Sequence, residues 1–557
     1  RDLVRAALDV ETMMTAISTV MDNESRYDIG VAQALAEGGL LPMYGMPTRV
    51  RPLYLGLEQG KADTYCWDTT DRDADVAIYE FAPGASLVRD KRLHRAVGIT
   101  STLPDPQKWG GWVLPKQEDR SPISEQWWIG RCETCGGWTR RDAAEATNCV
   151  ACAASIPADR FHHCVTPAAF RTDFTPAKIG EEEIRVVRAR IVCAEASPVA
   201  PIAIPDSRIA MALQRSASVI RLNPGATGDD IFSGGYDLAA GDQRFWRPGR
   251  PRFPMARQII MDEHAAELRQ SWTPTDRPGE LWLASRKVTD SLFLTPTTMY
   301  PALDIASVAG DAEVTAIRAA ALTMAFLLVD RAALELDVDP SEFEILPPRV
   351  TRVADREWPV IQIADTLVNG SGLSRHLSLP ADRPWALDLL RDIVGNEEAW
   401  PMRDFLGAAH RASCDQACYE CLQRYGNRNY HGLLDWRLGI SYARAFLDPS
   451  AQIGGDGDFS APELADWRAV AEEALSRVAH SSARINLIAN GPLPAIAVDH
   501  PGGRRVIAVR HPLWRDTAGA SPLVVEQARR TFGAETSWID SFELSRRPFV
   551  AIARLLT

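Results

Sequence analysis

Residues 131–155 read RCETCGGWTRRDAAEATNCVACAAS and contain two CxxC pairs, Cys132 with Cys135 and Cys149 with Cys152. Each pair holds two thiolates at the spacing that a tetrahedral Zn²⁺ requires, and the residues between the pairs are enough for a hairpin. Four thiolates leave no coordination position for water. The pattern therefore predicts a structural zinc ribbon whose folding depends on the metal.

A second cysteine cluster lies in HRASCDQACYECLQRYGNRNYHGLLDW, residues 410–436. Three thiolates this close together favour a metal, predicted to be zinc, over disulfides in a cytosolic protein, with three ordinary thiols as the alternative. His410 and His431 are the candidates for the fourth ligand, and we favour His431 because a helix beginning near Leu434 would place it close by. The cysteines of this cluster are Cys414, Cys418 and Cys421.

The composition predicts a protein of several folded domains. A single core stops growing near about 250–300 residues, so 557 residues indicate three or four domains. The net charge of −12 argues against a surface coated for non-specific nucleic-acid binding, although a local basic groove is compatible with it. The first residue is Arg1 rather than Met, which suggests a fragment or a processed product.

Cysteine use and hydropathy predict a cytoplasmic location without membrane contact. Seven of the ten cysteines fall into the two metal-like clusters, a pattern typical of a reducing compartment. The longest apolar run, residues 319–329, is well short of the ~20 residues that span a bilayer, and no signal peptide opens the chain.

The pattern of elements predicts a multidomain α+β fold. Val76, Ile78 and Phe81 predict a strand that turns at Pro83 and returns through residues 87–88 as a hairpin. Residues 311–337 are apolar on most faces and predict a central buried helix. Further strands are expected through the β-rich middle of the chain, two of them at 208–214 and 218–226, and another helix at 382–395. A small α/β unit ends the chain, with helices predicted at 461–478 and 523–532 and a final strand at 535–544.

The best candidate for nucleic-acid contact is RFWRPGRPRFPMAR, residues 244–257. Guanidinium groups bind phosphates and aromatic rings stack on unpaired bases, the combination used for single strands. The alternative is a solvated Arg/Pro loop that packs its rings inward. The residues proposed to touch nucleic acid are Arg244, Trp246, Arg247, Arg250 and Arg252.

No motif for nucleotide hydrolysis is found. The nearest approach to a phosphate-binding loop, residues 56–61, is one residue short and lacks the Ser/Thr that binds Mg²⁺. Asp262 and Glu263 resemble an acidic Mg²⁺-binding box, but without that loop a helix start explains them better. We predict no catalytic residue. Asp499, Arg505 and His511 lie on or beside a predicted hairpin in the C-terminal domain and give a weak indication of a nuclease.

The sequence resembles a known family in several stretches. LPMYGMPTRVR, DRDADVAIYEFAPGASLVRDK, the zinc knuckles and CVTPAAFRTDF resemble the region after the motor of superfamily-2 DEAD/DEAH-type bacterial helicases. The stretch from KVTDSLFL through IADTLVNGSGL to CDQACYECLQRYGNRNYHGLLDW resembles the MrfA-type zinc-binding domain of such helicases. Within this group the pattern is most similar to the DISARM anti-phage helicases of the DrmA family.

The resemblance covers roughly residues 35 to 440 and implies an ATP-dependent DNA helicase or translocase that acts with a partner on foreign DNA. This chain departs from the family in two respects: the ATP-binding motifs are absent, and three cysteines stand where four are usual. We therefore expect a zinc-braced accessory region without a motor of its own. It would position single-stranded or junction DNA and dock the helicase motor, in cis or in trans, and another defence-system subunit.

Two alternatives belong to other classes: a protein-docking scaffold without DNA contact, and a nuclease that acts through the C-terminal domain. The expected domains are a helical segment and Pro/Gly-rich connection from a motor (1–60), a small β domain (61–130), the zinc ribbon (131–175), a β-rich region with the Arg/aromatic loop (176–280), the MrfA-type zinc-binding α/β domain (281–450) and a C-terminal α/β domain (451–557).

Overall fold

The computed structural model describes most of the chain from residue 49 onward. The predicted N-terminal helix and the Arg/aromatic loop at 244–257 lie outside the described residues, as do Asp262 and Glu263. The described residues are 14, 18, 49–59, 65–103, 105–106, 112–113, 121–172, 176–178, 191–195, 201–225, 281–308, 316–353, 356–500, 503–515 and 520–556.

The first part of the described chain forms a small sheet with one helix. Because Asp73 accepts a hydrogen bond from the Asp75 amide, it caps a helix that buries Ala77 and Ile78. The strand predicted over Val76 to Phe81 is therefore wrong, whereas the predicted return strand at 87–88 is confirmed. The elements are β1 (Val50–Gln59), β2 (Tyr65–Asp73), α1 (Ala74–Glu80), β3 (Ser86–Arg89), β4 (Arg92–Thr100), β5 (Asp105–Pro106) and β6 (Trp112–Val113).

The middle of the chain is rich in strands, as expected. Two strands predicted in this part are one long strand, β16. Its register against β17 shifts between Gln214 and Ala217, where the backbone of Ser216 is in the left-handed region. The elements are β7 (Ile123–Arg131), β8 (Trp138–Arg141), β9 (Thr147–Asn148), β10 (Ser155–Ile156), β11 (Phe161–Pro167), β12 (Ala169–Thr172), β13 (Ala177–Lys178), β14 (Ile191–Ala194), β15 (Ile202–Ala203), β16 (Ile209–Asn223) and β17 (Leu281–Pro296).

Helices dominate the next part. The long buried helix predicted over 311–337 is confirmed for the described residues as α2, and α4 confirms the helix expected near 382–395. The elements are α2 (Ala316–Leu336), β18 (Phe343–Val353), β19 (Arg356–Asp365), α3 (Leu373–Leu377), α4 (Trp385–Gly395), α5 (Met402–Phe405), α6 (Ala408–Ser413) and α7 (Trp436–Leu447).

The C-terminal part is a four-stranded sheet with helices, as expected. The final predicted strand over 535–544 is only half right, because Asp540 caps a helix that begins at Ser541. The elements are α8 (Trp467–Ala479), β20 (Ile485–Ile488), β21 (Ala495–His500), β22 (Gly503–Arg510), α9 (Leu523–Phe532), β23 (Ser537–Asp540), α10 (Ser541–Arg546) and α11 (Pro548–Leu556).

A nine-stranded sheet with β17 at its centre organises the molecule. β17 pairs antiparallel with β16, parallel with β11 and antiparallel with β19. The order along the sheet is β14-β16-β17-β11-β7-β8, and β19 connects β18 to β17. The first cysteine cluster follows β7, so its flanking strands belong to the same sheet as β17 to β19. Several separate sheets are combined with helices, and they do not form a single parallel sheet covered by helices. The fold is therefore α+β, as predicted.

A charged network with little solvent exposure joins α1 to this sheet. The Asp75 carboxylate accepts a hydrogen bond from Ser285 at 2.7 Å and lies 2.8 Å from Arg49 and 3.1 Å from Arg221. Glu344 lies 2.7 Å from Arg221 and 2.8 Å from Lys287. Burial opposes ionisation of Asp75, but the neighbouring cations outweigh it and lower its pKa.

The segment that carries the second cysteine cluster packs on α2. A Cβ added at Gly439 in α7 would lie 2.5 Å from Cγ2 of Thr323, so only glycine allows this close approach of α7 to α2. The Thr323 hydroxyl also accepts a hydrogen bond from the Asp435 amide at 3.2 Å. In the part of the chain that the structure describes, no helix is long and apolar enough to cross a bilayer.

Two candidate metal centres

The first candidate centre is built from two knuckles with the same backbone pattern. In the first, the Gly136 amide donates to the Cys132 carbonyl at 2.9 Å, and the Cys132 amide donates to the Gly137 carbonyl at 2.8 Å. In the second, the Ala153 amide donates to the Cys149 carbonyl at 2.8 Å, and the Cys149 amide donates to Ala154 at 2.7 Å. The residue after each CxxC is left-handed, with φ of 73° at Gly136 and 59° at Ala153.

The four sulfurs of these knuckles lie at zinc-binding distances. The Sγ atoms of Cys132 and Cys152 are 3.6 Å apart, and those of Cys135 and Cys149 are 3.5 Å apart. Two sulfurs bound at about 2.3 Å to a tetrahedral zinc would lie about 3.8 Å apart, whereas a disulfide needs about 2.05 Å. All four ligand atoms lie within 4.8 Å of one another, so the predicted set is brought together.

Crowding and burial perturb the protonation of Cys135, Cys149 and Cys152. The hydrogen bond between Cys135 and Cys149 lowers the pKa of the Cys149 thiol to about 5 and raises the pKa of the Cys135 thiol. Burial raises the pKa of Cys152 to about 11. A divalent cation binds cysteine as the deprotonated thiolate, so the four sulfurs gathered here suit such an ion.

The first centre is attached to the nine-stranded sheet through β18. The Val350 amide donates to the Cys135 carbonyl at 3.0 Å. The preceding residue, Arg349, places its guanidinium 5.5 Å from the ring centroid of Phe293 and close enough to Cys135 and Cys149 for their charges to act on it. Burial lowers the pKa of Arg349, and the two thiolates oppose that effect.

The second candidate centre combines three cysteines with a histidine. His410 lies in α6, four residues before Cys414, so helical geometry puts both on one face. The sulfurs of Cys414 and Cys421 are 3.9 Å apart, and those of Cys418 and Cys421 are 3.7 Å apart. The ligand atoms of His410 and the three cysteines all lie within 4.8 Å of one another.

His410 has the geometry expected of a metal ligand. Its Nδ1 lies 3.1 Å from the Phe405 carbonyl oxygen, an acceptor, so Nδ1 carries the proton and Nε2 keeps its lone pair. That Nε2 atom is buried and, apart from the sulfur of Cys421, has no hydrogen-bond partner among the described residues. A backbone carbonyl that fixes the tautomer is the usual support for a metal-bound imidazole. The donor set therefore fits a zinc ion with three sulfurs and one nitrogen.

His431, which we favoured from the sequence, does not join this group. Its Nε2 lies 2.9 Å from the Arg424 carbonyl oxygen and 3.0 Å from Oδ1 of Asn427, so that nitrogen donates its proton to two oxygens. The structure places His410 at the fourth position because α6 carries it directly beside Cys414. The four-residue spacing of His410 and Cys414 fits this choice only once both are known to lie on or at the end of a helix.

The second centre also shows paired shifts of its thiols. The hydrogen bond with Cys414 lowers the pKa of the Cys421 thiol to about 5, while the same bond raises the pKa of Cys414. The Cys418 amide donates to Sγ of Cys421 at 3.0 Å, which adds to the stabilisation of that thiolate.

The residues of the weak nuclease signal do not form one cluster. His511 is buried among aromatic rings, including Trp467 and Trp514, and desolvation lowers its pKa to about 3. Arg505 instead donates to the carbonyls of Leu555 and Leu556. Among the described residues, the two centres above are the groups of three or more His, Cys, Asp or Glu close enough to share an ion.

Comparison with known proteins gives little direct guidance. No family model matches the sequence, and no curated protein does. Among solved structures, the chain is similar to the crystal structure of the DUF1998 helicase MrfA bound to DNA, with 9% identity and a TM-score of 0.28. The match covers 70% of this chain and 33% of that one, so this chain spans about a third of its length. A TM-score this low assigns neither fold nor function.

Proposed function

We propose that this chain is a zinc-braced accessory region of a DNA helicase or translocase. The observation that carries the proposal is the second centre: the segment that resembles the MrfA-type zinc-binding domain has three cysteines, and His410 stands beside them as a fourth ligand. A site of three thiolates and one imidazole is complete. The departure from the usual four cysteines therefore does not weaken the resemblance.

Both metals have a structural role in this proposal. Zinc held by four protein ligands supplies cross-linking of distant chain segments, because no position is left for a reacting water. Cys132, Cys135, Cys149 and Cys152 would brace the edge of the nine-stranded sheet near β18. His410, Cys414, Cys418 and Cys421 would fix the loop between α6 and α7.

The rest of the proposal follows from the sequence resemblance. The chain has no phosphate-binding motif, so ATP hydrolysis would come from a helicase motor in cis or in trans. The role would be to position single-stranded or junction DNA in the cytoplasm and to dock the motor together with another subunit of an anti-phage system of the DISARM type. The six-part domain division given above remains part of the proposal.

Salt-dependent binding of single-stranded DNA tests the proposal. A fluorescein-labelled 20-nucleotide strand would be titrated with the purified, zinc-loaded chain by fluorescence anisotropy at several salt concentrations. Contacts to phosphates release counterions, so affinity should fall linearly with the logarithm of salt concentration. A chain that retains its zinc and binds no strand at low salt would instead indicate a protein-docking scaffold.

A further inference from the structure

The loop around the second centre exposes two tyrosine rings. Tyr419 has 72% of its surface exposed and Tyr425 has 78%. No other tyrosine, phenylalanine or tryptophan is as exposed among the side chains that the structure describes. Aromatic side chains are normally more buried than this. Two exposed rings on one short loop therefore suggest a surface that binds another molecule.

Contacts within the loop hold the backbone that carries these rings. Tyr419 lies between two candidate metal ligands, Cys418 and Cys421, and its ring contacts the His431 ring edge-on with centroids 5.4 Å apart. Tyr425 opens a 3₁₀ turn, Tyr425–Tyr430, that is organised by the buried Asn427. The Asn427 side chain donates to the Leu422 carbonyl at 2.8 Å and accepts from the Arg424 amide at 2.8 Å. The backbone that carries the rings is therefore fixed by contacts within the loop, which lowers the entropy cost of binding.

One cation accompanies the two rings. The Arg428 guanidinium lies 4.8 Å from the ring centroid of Tyr425, and among the described residues it forms no ion pair with a carboxylate. Arg424, by contrast, is paired with Asp330. Glu420 is an exposed carboxylate beside Tyr419. Because this loop carries both positive and negative charge, attraction to phosphate alone would give weak binding of nucleic acid. The two rings must therefore supply most of the affinity.

We propose that Tyr419, Tyr425 and Arg428, here called the tyrosine surface, bind single-stranded DNA by stacking on unpaired bases. Every base has a π-face, so exposed rings bind strands with little sequence preference, and a nearby arginine adds a phosphate contact. The exposed neighbours Gly426, Asn429 and Gly432 include no aliphatic side chain. Tyrosine and arginine are also common in protein interfaces, so a chain that binds no strand would point to a protein partner at this surface.

This inference rests on the proposed function and is tested with the same anisotropy assay on the full chain. Replacing both rings, Tyr419→Ala with Tyr425→Ala, should weaken binding of a 20-nucleotide strand by about thirtyfold or more, since each stack contributes about 1–3 kcal/mol. Tyr425→Phe keeps the ring and should bind like the wild type. Ile202→Ala, at an equally exposed apolar residue on β15, is the matched control and should change nothing.

The salt dependence separates stacking from charge. The double tyrosine variant should keep the salt slope of the wild type, because its phosphate contacts are intact. Arg428→Ala should lower the slope by about one. Zinc content of two ions in each variant would show that the loop remains folded. A blunt-ended duplex should bind more weakly than the single strand, because its bases are already paired.

The outcomes distinguish this inference from the proposed function. If the wild-type chain binds no strand, both fail. If it binds with the expected salt slope and the double variant retains its affinity with its zinc intact, only the tyrosine surface is wrong, and DNA is bound elsewhere. Equal loss of affinity in Tyr425→Phe would also overturn stacking, because that variant keeps the ring.

Discussion

The two candidate metal centres of this protein differ in how they are built. All four ligands of the first centre come from two knuckles with matching backbone hydrogen bonds, and the centre is tied to β18 by the Val350 amide. The second takes three cysteines from one loop and a histidine from the preceding helix, α6. The first is embedded against a sheet, whereas the second carries exposed tyrosines. The comparison indicates that the first centre stabilises the sheet, whereas the second holds a loop that exposes a binding surface.

The largest effect is expected from Cys132→Ser at the first centre. Loss of one thiolate should remove one of two zinc ions and unfold residues around 131–155, because a structural zinc contributes about 10–16 kcal/mol to the folding of such a segment. Zinc analysis by mass spectrometry and protease sensitivity of the ribbon are the measurements. Two zinc ions with unchanged thermal unfolding would refute the structural role of this centre.

His410 and His431 provide a matched pair at the second centre. His410→Ala should lower the zinc content by up to one ion and speed zinc loss to a chelator, because the metal then keeps three protein ligands. His431→Ala should retain two zinc ions, since its Nε2 is engaged by Arg424 and Asn427. Loss of zinc in His431→Ala with full retention in His410→Ala would show that His431 is the fourth ligand.

Arg349 should matter to the first centre only. Four thiolates and one Zn²⁺ carry a net charge of −2, and this guanidinium lies close to Cys135 and Cys149. Arg349→Met should speed zinc release from the first centre by about tenfold, a change of about 1.4 kcal/mol, and leave the second unchanged. Chelator competition in the Cys414→Ser background, which isolates the first centre, measures this. An unchanged release rate would show that Arg349 does not stabilise zinc at the first centre.

The smallest effect concerns the two knuckles of the first centre. Gly136 and Ala153 occupy the same left-handed position, where a Cβ costs roughly 1–2 kcal/mol. Ala153→Gly should therefore raise stability by about 0.5 kcal/mol after the added entropy of the unfolded chain is subtracted, and Gly136→Ala should lower it by about 1 kcal/mol. Equilibrium unfolding with zinc bound tests both, and the same sign for the two changes would contradict the symmetry.

The sequence predicted the two centres unequally for physical reasons. The spacing of Cys132, Cys135, Cys149 and Cys152 is local, so hairpin geometry alone brings the pairs together. Choosing between His410 and His431 required knowing that α6 is a helix of six residues and that Asn427 engages the His431 ring. Neither fact is visible in a pattern of residue types.

The fold was predicted in the same uneven way. α2 and α9 were found because long apolar or amphipathic runs dominate local preference. Residues 74–80 were misread as a strand, since Val76 and Ile78 alternate, whereas the cap at Asp73 and the burial of Ala77 and Ile78 require a helix. The central position of β17 depends on pairing with three strands distant in sequence, which no local pattern indicates.

X-ray absorption at the zinc edge of the purified, zinc-loaded chain tests the central claim most directly. The account predicts two zinc ions per chain that share seven sulfur ligands at about 2.3 Å and one nitrogen at about 2.0 Å. His410→Ala should lose the nitrogen contribution, while His431→Ala should keep it. A single zinc ion per chain, or a shell dominated by oxygen and nitrogen, would contradict the claim that two closed centres brace this protein.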